Sequence, residues 1–134
     1  FSLEDLKDLA GDEDGWSTAV LANAQANAAV AVHFQTRQLP NFTVWKNTIA
    51  EADGYVTGLE PGINLPNFRG FEREQGRLPL VKAGQSYRCE LALEVADTEP
   101  AVRDLHDRVK FLQGPTEPIV HRKPIARLSP GGTK

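Results

Sequence analysis

The sequence predicts an all-β fold of antiparallel strands with one late α-helix. Three observations predict it. Tyr87, Cys89, Leu91, Leu93 and Val95 alternate with Arg88, Glu90, Ala92 and Glu94, the period-two pattern of a sheet with one apolar face. Val30, Val32 and Phe34 alternate in the same way with Ala31, His33 and Gln35. Only Val102, Leu105, Val109 and Leu112 recur at helical spacing.

Each element follows from local chemistry. Ser2-Leu3-Glu4-Asp5 reads as an N-cap followed by acids, and residues 11–15 as an acidic exposed turn. Residues 17–22 form a first strand of ambiguous period, and residues 29–35 a second. Pro40 and Asn41 interrupt before a third strand at 42–46. Residues 54–60 make a fourth, in which Gly58 signals a bulge or a close backbone approach. Residues 61–79 are rich in Gly and Pro and read as a long structured loop. After a turn at 82–85 comes the strand of residues 87–95. Asp97 or Thr98 caps the helix, and Gly114-Pro115 stops it.

Two units result. Residues 1–114 form part of a β-sandwich, and residues 115–134, with four prolines and a Gly131-Gly132 end, form a surface strap that frays. One-sided strands need a second layer, and neither the helix nor the acidic N-terminal stretch is large enough to supply it. The expected source is sequence upstream of Phe1 or a second copy of the chain. The chain starts at Phe1 and has no methionine, so it reads as a processed product or a piece of a longer protein, the second being expected.

Composition narrows the function classes. A net charge of -3 over 134 residues gives no broad basic face for nucleic acid. No apolar run is long enough to cross a bilayer and no leader is recognisable, so a cytoplasmic location is expected. Cys89, the single cysteine, is expected to be a small buried side chain. His33, His106 and His121 lack metal-ligand spacing, so neither a metal nor any other cofactor is expected. His106 reads as exposed, and His121 as structural or exposed.

Chemistry centres on Glu60, a carboxylate ending a strand before a rigid Pro-Gly-Asn loop. Arg69, Arg73 and Arg77 fall at every fourth position among Glu72 and Glu74. They read as a self-paired solvated run, or as a clamp for a hydroxyl-rich or anionic ligand. Trp45 beside Lys46 reads as core packing, or as a stacking surface for a sugar ring.

Phe34-Gln35-Thr36-Arg37-Gln38-Leu39-Pro40, Val44-Trp45-Lys46-Asn47-Thr48, residues 53–61 and Asn64-Leu65-Pro66-Asn67 together resemble the C-terminal part of the DUF4432 family, relatives of the aldose 1-epimerases (galactose mutarotases). Phe71-Glu72-Arg73-Glu74-Gln75-Gly76-Arg77 and Ala83-Gly84-Gln85-Ser86-Tyr87 continue the match, which is strongest over residues 28–96.

The resemblance implies a β-supersandwich with a sugar cleft on one sheet. It implies Glu60 as general base toward an anomeric hydroxyl, in a Leu59-Glu60 context like that of the mutarotases. Asn67, at a position where mutarotases often carry an acid, is a substrate-binding candidate with Arg37 and Lys46. Arg69 joins them from the Arg-rich loop. The family's acid histidine belongs well upstream, so His33 does not inherit that role and the acid is expected outside this chain. The expected ligand is a sugar or sugar derivative. The alternatives are a non-catalytic carbohydrate-binding β-sandwich module and an assembly domain with an open sheet.

Overall fold

The computed structural model describes residues 9–115 and 117–131. The expectations for Ser2–Asp5 and for Gly132 lie outside the described residues. The regular structure of the described residues is mostly strand, in antiparallel sheets, with one long helix. A three-stranded sheet is formed by β1 (Trp16–Ala22), β2 (Ala29–Gln35) and β5 (Leu91–Ala96), with β2 in the middle. A separate two-stranded ribbon is formed by β3 (Asn41–Lys46) and β4 (Thr57–Gly62). A short helix α1 (Arg69–Glu74) follows the ribbon, and α2 (Glu99–Gln113) follows β5.

Helix α2 starts where its chemistry dictates. Thr98 has an extended backbone and its side chain accepts from the Ala101 amide at 3.4 Å. Pro100 occupies the first turn, where its missing N–H is no loss, and Gly114 ends the helix at a φ of 61°. Val102 and Leu105 are buried on Ala29, Ala31 and Ala96. The small alanines of the sheet let the helix approach closely, and Val20, Ala22 and Ala101 close the rim.

The opposite face of β2 builds a second cluster. Val32, Phe34 and Leu39 are buried there, with Leu9, Phe42, Leu59 and Ile63 packed against them. The Phe34 and Phe42 rings stack with centroids 5.2 Å apart, which seats the ribbon on the sheet. The ribbon covers only that end. Leu21, Val30, Leu91, Leu93 and Val95 share the same sheet face and are exposed, Leu93 by 70% and Val95 by 75%.

Several expectations change. The fourth strand runs from Thr57 to Gly62 rather than from Gly54 to Glu60. Residues 51–53 form a 3₁₀ turn that ends at left-handed Gly54, and pairing continues through Pro61 and Gly62, so Glu60 lies within the strand and not at its end. The fifth strand starts at Leu91, and its apolar side faces outward in the described chain instead of into a core. Cys89 is exposed, because it precedes the paired part of that strand. The loop at 61–79 contains α1. Ladder pairing runs through Gly58 opposite Trp45, so Gly58 marks no bulge.

Candidate functional site

The ribbon register decides which side chains share a face. Asn41 pairs with Gly62, Thr43 with Glu60, and Trp45 with Gly58. Side chains alternate along a strand, so these six positions line one face. Phe42 and Leu59 lie on the other, toward Phe34. Glu60 and Trp45 therefore project away from the core. Trp45 is 50% exposed, which answers the core-packing expectation: its indole is a surface, and the Thr57 hydroxyl donates to its backbone carbonyl at 2.5 Å.

Gly58 is the gap in that face. A Cβ at this position would collide with Oε1 of Glu60, so the carboxylate folds back over the glycine. The close approach expected at Gly58 is made by a side chain, not by a backbone. Glu60 itself is exposed and no described residue hydrogen-bonds its carboxylate. A carboxylate held beside an accessible indole, on a face free of apolar packing, can accept a proton from a hydroxyl stacked there.

The other expected residues separate. Lys46 pairs with Thr57 and, by alternation, projects from the ribbon face opposite to Glu60. Arg37 lies in the turn after β2. It donates to the Glu13 carbonyl at 3.1 Å, and it packs on Gly15, where a Cβ would sit 3.2 Å from its Nε. Gly15 has a φ of 86°, so the turn needs glycine both for its backbone and for this contact. Arg69 opens α1 and is exposed.

Asn67 is drawn into a buried polar knot. Its amide donates to Glu72 Oε1 at 2.7 Å and to the Leu128 carbonyl at 2.9 Å. Glu72 also accepts from the Leu65 amide, and from Arg77 Nε and Nη2 at 2.7 and 2.6 Å. Arg77 donates its third bond to the Arg127 carbonyl at 2.7 Å, and its guanidinium lies over the Phe71 ring. The Arg77 hydrogen bond holds the Glu72 carboxyl down at a pKa of about 2 against burial, helped by Asn67 and Leu65. Of the arginine run, then, Arg77 is self-paired as expected but buried rather than solvated. The knot pins the loop after β4 to the C-terminal strap.

His33 stands apart from Glu60. It lies on the helix-covered face of the sheet, between the Thr18 hydroxyl on Nδ1 and Glu94 on Nε2, each at 2.9 Å. The sheet and the Phe34–Phe42 cluster separate it from the Glu60 face. His106 and His121 are exposed. Among the described residues no group of His, Cys, Asp and Glu has the arrangement of a metal site, and no helix is long and apolar enough to cross a membrane.

Sequence reasoning missed Thr43 and Asn41 as companions of Glu60. Pairing Glu60 with the neighbouring strand would have found them, but the register is set by the turn at residues 47–56, which carries no recognisable hairpin signal.

The model of a family described as a domain of unknown function, DUF4432, matches residues 6–95. A crystal structure from Klebsiella pneumoniae subsp. pneumoniae, described as that of a candidate aldose 1-epimerase, superposes with a TM-score of 0.76 at 30% identity. The superposition covers 81% of this chain and 28% of that one, so the chain matches well under half of its relative's length. No curated protein matches the chain.

Proposed function

The chain belongs to the DUF4432 family, and from that premise we propose that it carries the base-bearing part of an aldose 1-epimerase-like centre. The observation that supports this reading is the open ribbon face on which Glu60 lies beside Trp45. A pyranose stacked on the indole presents its anomeric hydroxyl to the carboxylate. Glu60 takes that proton while an acid protonates the ring oxygen, and the C1–O5 bond breaks to give the open-chain aldehyde. Rotation about C1–C2 and the reverse transfers close the ring as the other anomer. Moving two protons in concert avoids full charge on the sugar, and each positioned group contributes roughly 10²–10⁴-fold.

The acid in this reading comes from outside the chain, since His33 lies across the sheet from Glu60. By itself, therefore, the chain is expected to bind a sugar without accelerating its mutarotation in a non-acidic buffer. That no acid stands beside Glu60 among the described residues also favours a second reading, a carbohydrate-binding module without chemistry.

One experiment separates them. A Trp16→Phe chain makes Trp45 the fluorescent reporter, because these are the two tryptophans. Saturable quenching by α-galactose or α-glucose tests the site. Polarimetry of the same sugars in imidazole buffer then supplies an external acid. Faster mutarotation with the parent chain than with Glu60→Gln supports the base, and equal rates support the module. No sugar-dependent quenching overturns both.

A further inference from the structure

The Glu60 face continues past Glu60. One cross-strand pair further along lie Asn41 and Gly62, about 7 Å away at ~3.4 Å per residue. Asn41 borders a cleft of about 590 Å³ whose walls include Thr36, Arg37, Ile63, Arg77 and Leu78. That size suits a small organic ligand, and mostly apolar walls with a few polar groups are the usual make-up of such a site.

The charge in the cleft is one-sided. Two arginines line it, and no carboxylate is among its described lining residues. The Arg77 charge is met by Glu72 behind the wall. Among the described residues no such carboxylate meets Arg37. One of its five N–H donors goes to the Glu13 carbonyl, a neutral group, which with the Gly15 contact orients the guanidinium. An oriented guanidinium with donors to spare, in the wall of a mostly apolar cleft, matches a planar or tetrahedral oxyanion.

We infer that this cleft receives the anionic substituent of an acidic sugar, a phosphate ester or a carboxylate, whose anomeric end lies at Glu60. The inference rests on the proposed role of Glu60 and adds the substrate class. The ring spans the Thr43–Glu60 pair, and the substituent at the far end of the hexose passes Asn41 to meet Arg37. Neutral hexoses fill the first part of the site only.

The test compares glucose, glucose 6-phosphate, glucuronate and inorganic phosphate in the Trp16→Phe chain at low salt. Affinity is read by Trp45 fluorescence and checked by calorimetry. The acidic sugars are expected to bind roughly tenfold more tightly than glucose, the scale of a charge-assisted pair. Inorganic phosphate is expected to compete with glucose 6-phosphate. Which acidic sugar binds better identifies the anion. Arg37→Gln is expected to bring the ratio to glucose near one. Arg108→Gln, an exposed arginine on the far side of the sheet, is expected to leave it unchanged.

Equal affinities for glucose and both acidic sugars overturn the inference while leaving Glu60 to its own test in imidazole buffer. A preference lost equally in Arg108→Gln also overturns it, as an effect of net charge. A preference lost only in Arg37→Gln supports the cleft even where Glu60→Gln leaves mutarotation unchanged, and in that case the role of Glu60 fails alone.

Discussion

The carboxylate of Glu72 and the guanidinium of Arg77 face each other in a fork of two hydrogen bonds, at 2.6 and 2.7 Å, with Glu72 fully shielded from water. Their remaining bonds reach Asn67, Leu65 and the carbonyl of Arg127, so the pair is satisfied on all sides. The fork closes the loop that follows Glu60 against the strap that ends the chain. It is the polar centre of a region with little regular structure.

Breaking one partner leaves the other charge buried alone. Arg77→Met is expected to lower the unfolding free energy by about 3–5 kcal/mol, measured by urea denaturation. Replacing both, as Glu72→Leu with Arg77→Met, is expected to recover part of this loss. Recovery stays incomplete because the Asn67 amide and the Leu65 N–H then lack their acceptor.

The same pair is expected to contribute to an acid transition. Glu72 titrates at about 2 in the fold against 4.5 unperturbed, so its folded pKa is depressed. The stability it contributes is present above about pH 4.5 and is lost as pH falls through about 2. Stability measured from pH 6 to pH 2 is expected to fall less steeply in Glu72→Gln than in the parent chain. Parallel profiles would mean that other carboxylates set the transition.

Gly58 is expected to tolerate alanine in the fold but not in the site. Glycine in a strand costs roughly 0.5–1 kcal/mol relative to alanine, so Gly58→Ala should hold or raise the melting temperature. The added methyl occupies the space of the Glu60 carboxylate and forces it to swing away. Sugar-dependent quenching of Trp45 should therefore weaken while the melting curve stays cooperative.

Helix α2 is expected to be held more by packing than by its cap. Leu105→Ala removes a buried side chain from the alanine-lined sheet face and should cost about 2–4 kcal/mol. Thr98→Ala should cost about 0.5–1 kcal/mol, because its capping bond is long at 3.4 Å. Thermal or urea unfolding of the two variants checks the order.

Leu93 and Val95 are the most exposed large apolar side chains of β5, an edge strand among the described residues. Leu93→Glu is expected to leave the melting temperature of the chain within a few degrees and to reduce self-association. Sedimentation velocity over a range of concentrations checks it.

Strands β2 and β3 and the helix α2 were legible in the sequence because their signals are local. Alternation over residues 29–35 and the Thr98 cap with its Gly114 stop need no distant partner. The start of β4 was misread because Val56 looks like strand, while Gly54 at a φ of 90° turns the backbone away. Candidate residues fared by the same rule. Glu60 was visible as a strand carboxylate, but the strand runs two residues past it and its neighbours depended on pairing. Asn67 looked like a ligand contact, and its partner Leu128 lies 61 residues away.

By itself, then, the sequence determined an antiparallel β fold, its capped helix and a carboxylate late in a strand. Periodicity and capping are encoded within a few residues, so they can be read in one dimension. Only the tertiary structure decided that Trp45 and Thr43 share the face of Glu60, that Lys46 turns to the other side, and that His33 sits behind the sheet. It also decided that Glu72 and Arg77 bury their charges together. These outcomes depend on register and on long-range hydrogen bonds, which local sequence does not specify.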